Sequence, residues 1–181
     1  MAEQEFYSGK ILYPFVLALL VLSLLFGFAI LPRLFGASEA QLVGKPAPNF
    51  SLRVVVNSDK PTLAMNELQG SAVLLDFWAT WCKPCQAEAP IVNKIAQRYK
   101  ERGLVVVGVD TDEPDGQARG WALAHGLSYP IVYDADSEAA GAYGVHNMPT
   151  LVVVSKTGKV VAVREGVTDD DELESLVKQA L

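Results

Sequence analysis

The chain holds two cysteines in 181 residues, Cys82 and Cys85, with only Lys83 and Pro84 between them. One pair this local cannot staple a small fold together. A zinc site would need further Cys or His ligands, and the only histidines, His125 and His146, lie far along the chain. Two thiols with a two-residue spacer read instead as a redox pair, cycling between a dithiol and a Cys82–Cys85 disulfide. The disulfide itself carries the electrons, so neither a metal nor an organic cofactor is expected. Exchange needs a thiolate, and a sulfur at the start of a helix is stabilised as one by unpaired N–H groups and the positive end of the helix dipole. Cys82 is therefore the expected nucleophile, and Cys85, one turn on, the sulfur that resolves the mixed disulfide. Lys83 adds positive charge beside Cys82 and Pro84 suits a first helical turn, so both are expected to tune the pair.

The flanking residues supply that helix start. Ala72–Trp78 (AVLLDFW) reads as a strand buried on both faces. A helix should follow from Cys82 to about Arg102, with Ile91, Ile95 and Tyr99 recurring every fourth residue and Arg98, Lys100, Glu101 and Arg102 toward water. Gly103 ends it. Further strands are expected at Leu104–Val109, Pro130–Tyr133, Thr150–Val154 and Val160–Arg164, the last two joined by a turn at Thr157–Lys159. Helices are expected at Gln117–His125, Ser137–Tyr143 and Asp170–Ala180, the last capped by Thr168 or Asp169. Asp110–Gly116 lacks the closing Glu of a calcium loop and is read as a solvated loop. The alternation gives an α/β class, a central mixed sheet flanked by helices.

Asp76-Phe77-Trp78-Ala79-Thr80-Trp81-Cys82-Lys83-Pro84-Cys85 resembles the thioredoxin active-site signature. Gly44-Lys45-Pro46-Ala47-Pro48-Asn49-Phe50-Ser51-Leu52 is similar to the opening of the membrane-anchored TlpA/ResA/DsbE group of extracytoplasmic thiol–disulfide proteins, and Glu88 and Pro90 complete that group's Trp-Cys-x-x-Cys-x-x-Glu-x-Pro pattern. Met148-Pro149-Thr150 stands where thioredoxin folds carry a cis proline. The resemblance runs from about Leu42 to the C-terminus and implies a thioredoxin-like fold. It implies that Trp81, Met148, Pro149 and Thr150 form the substrate-binding surface, with Pro149 cis. Thioredoxins bear a buried acid at the Asp76 position, whereas the extracytoplasmic group more often has Asn there and places its acid at the Glu88 position. This chain has both. Burial without a cationic partner raises a carboxyl's pKa, so Asp76 and Glu88 are expected to exchange a proton with Cys85 near neutral pH.

The segment Ile11–Leu31 contains no charge, and an apolar run of about 20 residues matches the thickness of a bilayer. The expected organisation is a short cytoplasmic N-terminus at 1–10, a transmembrane anchor at 11–31, a linker at 32–41 and the thioredoxin-like domain at 42–181. A cleaved signal peptide is the alternative, but its start would be more basic than Met1–Lys10 and its apolar core shorter. The expected location is the cytoplasmic membrane, crossed once, with the catalytic domain on the extracytoplasmic side. A net charge of −6 argues against a nucleic-acid partner. The expected activity is disulfide reduction on exported proteins with electrons from a membrane donor, and the resemblance implies substrates such as apocytochrome c or metal-delivery proteins. The rival readings are an oxidant or isomerase for secreted-protein folding, and a thiolate metal-binding module, for which Met65, Met148 and two distant histidines are a poor supplement. A peroxidase would want a Pro and Thr pattern before its thiolate, which Thr80 alone does not supply.

Overall fold

The computed structural model describes residues 13–26, 42–111 and 115–181 of a chain that divides into two compact units, Met1–Ala37 and Ser38–Leu181. In the first unit, residues 13–26 form a helix, α1, whose apolar side chains, Phe15, Leu22 and Leu24 among them, are exposed. Among the described residues no helix is long and apolar enough to cross a membrane. Of the span expected at 11–31, residues 11–12 and 27–31 lie outside the described residues, as does the linker up to residue 41.

The second unit is built on a seven-stranded sheet ordered β2-β1-β5-β4-β3-β6-β7. Its strands are β1 (Ser51–Val56), β2 (Thr62–Ala64), β3 (Ala72–Trp78), β4 (Leu104–Asp110), β5 (Ile131–Tyr133), β6 (Thr150–Val154) and β7 (Val160–Glu165). The β3–β4 and β4–β5 pairs are parallel and the others antiparallel, so the sheet is mixed, as expected. Its helices are α2 (Lys83–Tyr99), α3 (Asp115–Ala124), α4 (Glu138–Ala142) and α5 (Asp170–Ala180).

Every residue of β3 is buried, because the strand is central and covered on both faces. Its two-residue alternation divides the core. Leu74 and Trp78 pack with Ala89, Val92 and Ile95 of α2 and with Leu173 and Val177 of α5. Val73, Leu75 and Phe77 pack on the other side with Ala139 and Ala140 of α4 and with Tyr143. Asp76 therefore shares the face that α2 covers.

Two departures from expectation bear on the site. Helix α2 begins at Lys83, with Cys82 as its N-cap, and ends at Tyr99, followed by a 3-10 turn at Lys100–Arg102 and Gly103 at φ +91°. Asp110 is not in a solvated loop: it closes β4 and is fully buried, while residues 112–114 lie outside the described set.

The two ends of β3 mark two poles of the unit. Ala79–Cys82 and the loop before β6 lie at one pole, since Phe77 pairs with Thr150. At the other, Val73 pairs with Val154, the turn after β6 receives the incoming chain through Ala47 N–H to Gly158 O at 2.9 Å, and Lys156 N–H donates to Ala180 O. Seven strand residues separate the poles by about 20 Å.

Candidate redox site

Cys82 and Cys85 form a disulfide with Cα atoms 5.3 Å apart. Cys82 leaves β-type dihedrals (φ −74°, ψ 100°) just as the helix begins, so the Cys85 N–H points back at it and donates to its Sγ at 3.2 Å. An amide aimed at a sulfur stabilises negative charge there. The sequence places a sulfur, Lys83 and Pro84 where the helix needs an N-cap, a first residue and a residue that can forgo its N–H. Lys83 and Pro84 are exposed, and the Lys83 ammonium reaches Gln86 Oε1 at 3.3 Å. Gln86 in turn donates to Thr80 O at 2.6 Å, tying the corner to the first turn of α2. Both cysteines are nearly closed off, at 4% and 3% exposure, whereas Trp81 beside them is 58% exposed.

The Met148–Pro149 peptide is cis, as the resemblance implied. Met148 packs against the core cluster that contains both cysteines and accepts a hydrogen bond at Sδ from Thr111 Oγ1, 3.2 Å away. Pro149 and Thr150 are buried, and the Thr150 hydroxyl is turned inward to Asn147 O at 2.7 Å. Of the four residues expected to face a substrate, only Trp81 and part of Met148 present side chains to solvent.

Asp76 and Glu88 converge from opposite layers, one from β3 and the other from α2. Both are buried, Glu88 completely. The Asp76 carboxyl is raised to about 7, by desolvation first and by the neighbouring Glu88 charge second, against a hydrogen bond from the Tyr129 hydroxyl. Desolvation likewise lifts Glu88 to about 7, against hydrogen bonds from Thr168. Tyr129 Oη donates to Asp76 Oδ2 at 3.2 Å, and Thr168 N–H donates to Glu88 Oε1 at 2.7 Å. Glu88 Oε2 has no hydrogen-bond partner among the described residues. Two carboxyls raised to near neutrality, Glu88 one turn after Cys85 on α2 and Asp76 on the strand face that α2 covers, are suited to take up or release a thiol proton.

Tyr129 and Thr168 were not among the residues the sequence singled out for the site. They stand 53 and 80 positions from the acids they contact, and no local pattern links them. Asp169, rather than Thr168, caps α5, accepting from Glu172 N–H at 2.8 Å. That leaves the Thr168 amide for Glu88. Among the described residues no cluster of three or more His, Cys, Asp or Glu could hold a metal ion.

Residues 43–163 match the AhpC/TSA family. The chain is 36% identical over 164 residues to the thiol-disulfide oxidoreductase ResA of Bacillus thuringiensis strain Al Hakam, covering 91% of this chain and 93% of the relative. Among solved structures, a protein described as the thiol:disulfide interchange protein DsbE of Chlorobium tepidum superimposes with a TM-score of 0.70 at 31% identity, covering 76% of this chain and 96% of that one. A secreted Mycobacterium tuberculosis disulfide oxidoreductase homologous to E. coli DsbE superimposes at 0.63 with 25% identity, covering 72% and 95%.

Proposed function

The chain belongs to the AhpC/TSA family and is a thioredoxin-like thiol–disulfide oxidoreductase of the TlpA/ResA/DsbE group, and from that premise we propose that it works as a disulfide reductase on exported proteins. The observation that carries the direction is the pair of buried carboxyls behind the cysteines. A negative charge near a thiol disfavours its thiolate, and an oxidant such as DsbA owes its potency to a stabilised reduced form. Acids at this place withdraw that stabilisation and favour the disulfide product.

In the proposed cycle the reduced protein attacks a substrate disulfide through the Cys82 thiolate, which the Cys85 amide and Lys83 stabilise. One substrate sulfur joins Cys82 and the other leaves as a thiolate that takes a proton from water. Cys85 then gives its proton to the Asp76–Glu88 pair and attacks Cys82 Sγ. The internal disulfide forms, the substrate leaves fully reduced, and two electrons have passed from protein to substrate. Trp81, with the backbone around Met148–Pro149–Thr150, receives the extended substrate segment. Residues 11–31 anchor the chain in the cytoplasmic membrane with the domain outside, in keeping with the similar mycobacterial disulfide oxidoreductase being a secreted protein. A membrane dithiol donor restores Cys82 and Cys85. The substrates are cysteine pairs of exported proteins, such as apocytochrome c or metal-delivery proteins.

Equilibration of the pair against a glutathione buffer tests the direction. The expected potential lies nearer the thioredoxin value of about −270 mV than the disulfide-isomerase value of about −180 mV. A potential at or above the isomerase value would make the protein an oxidant or isomerase. Cys85→Ser, expressed in the full chain, should hold the substrate on Cys82 as a mixed disulfide and identify it.

A further inference from the structure

Tyr129 is a buried titratable residue outside every motif in the sequence, and the fold makes deliberate room for it. In the β3–β4 register Asp76 lies opposite Gly108. A Cβ at Gly108 would stand 2.5 Å from Ile131 Cδ1, 3.1 Å from Trp78 Nε1 and 3.2 Å from Tyr129 Cε2. The missing side chain is thus the space in which the Tyr129 ring approaches β4, and from there its hydroxyl reaches Asp76 Oδ2.

The two acids are held differently. Glu88 takes hydrogen bonds from Thr168, one of them from the backbone amide at 2.7 Å, a donor that cannot rotate away. Asp76 takes a longer one, 3.2 Å, from a side-chain hydroxyl. We propose that Tyr129 is a positioning residue for exchange: its hydroxyl holds the Asp76 carboxyl in place as the group that accepts the Cys85 proton, while the Thr168 backbone holds Glu88 as the second acid of the pair. The groups facing Asp76 are consistent with this division. Helix α2 contributes Glu88, with Cys85 in the core cluster on the same face of β3; the segment before β5 contributes Tyr129, β6 offers apolar Leu151 opposite Asp76, and Asp110 lies two residues beyond Gly108 on β4. Desolvation and the Glu88 charge both hold the proton on Asp76, and the Tyr129 hydrogen bond opposes them. A hydrogen bond to a carboxylate favours its ionised form. Its loss would tie the proton to Asp76 through the neutral range.

The inference rests on the exchange mechanism proposed above, but its first test does not. The oxidised full chain, labelled with 13C at aspartate Cγ and made as wild type, Tyr129→Phe and Glu88→Gln, is titrated by NMR with no substrate present. Tyr129→Phe should raise the proton affinity of Asp76 about tenfold or more, and Glu88→Gln should lower it by removing the like charge. The second readout is the rate of mixed-disulfide resolution against pH. For Tyr129→Phe the rising limb should move to higher pH by the same factor, with the high-pH plateau retained. An unchanged Asp76 titration in Tyr129→Phe overturns the proposal. So does a plateau lowered at every pH with an unmoved limb, which marks a structural role. Failure of the wild type to exchange disulfides at all would instead refute the functional reading and leave the titration result standing.

Discussion

Replacing Asp76 with asparagine should stabilise the oxidised protein, and the gain should grow with pH. The folded chain holds this carboxyl at about 7 against an ordinary value of 3.8. A carboxyl whose folded pKa is raised binds protons more tightly in the native state than in the unfolded one. Below the unfolded value both states are protonated and the group costs nothing. As pH rises through 3.8 toward 7 the unfolded state gains the free energy of ionisation alone, and native stability falls. Above 7 the full difference has been lost. At 1.36 kcal/mol for each tenfold change in proton affinity, the penalty is about 1.7 kcal/mol at pH 5 and about 4 kcal/mol at pH 8. Part of the upper figure comes from the Glu88 charge, so the Asp76→Asn and Glu88→Gln gains should not add. An asparagine oxygen still accepts from Tyr129, so the substitution removes charge without orphaning the hydroxyl. Urea unfolding of the oxidised wild type and variant at pH 5 and pH 8, with midpoint and slope fitted separately, reads the effect. A gain that is equal at both pH values, or a loss at pH 8, would show that Asp76 is not a desolvated acid and would remove the basis for its proposed role in proton transfer.

Cys82 should alkylate faster than Cys85 in the reduced protein, with a pKa below the free-thiol value of about 8.5; iodoacetamide labelling followed residue by residue against pH would show it, and faster labelling at Cys85 would reverse the assignment. A chain beginning at residue 42 should reduce insulin disulfides as fast as the full chain, because the described site lies wholly in Ser38–Leu181; loss of activity would make the N-terminal segment more than an anchor. Gly108→Ala should cost about 1–3 kcal/mol by overpacking against Ile131, Trp78 and Tyr129, measured by denaturant midpoint, and a neutral result would show that the Tyr129 ring can yield.

The elements that carry the chemistry were legible because local patterns set them. The strand Ala72–Trp78 has the bounds its apolar run predicts, as do Thr150–Val154 and the helix Asp170–Ala180. Strands β1 and β2 were not expected. Ser51–Val56 is only half covered, with a burial pattern that shifts from alternating to continuous, and Thr62–Ala64 is three residues long, so neither offers a run to recognise. Within the site, the cysteines, both acids and the cis proline could be found from motifs. What the motifs could not show is how far Pro149 and Thr150 withdraw from solvent, since their burial is set by strands β3 and β7 on either side. Nor could they show the partners of the acids. Tyr129 and Thr168 acquire meaning only when the sheet closes.

Both ends of the folded unit emerge at the pole away from the sulfurs. The incoming chain is fastened to Gly158 and Val160, and the last helix ends where Lys156 N–H meets Ala180 O. Grafting to a bead, an electrode or a fluorescent protein through either terminus would therefore leave Trp81 and the cysteine corner unobstructed. The same closeness suits the unit to insertion into a surface loop of a host protein, where it could report local redox state through the host's fold. It also marks the unit as a candidate for circular permutation, with a short linker joining residue 181 to the segment near residue 42 and new ends opened on an exposed turn such as 57–61.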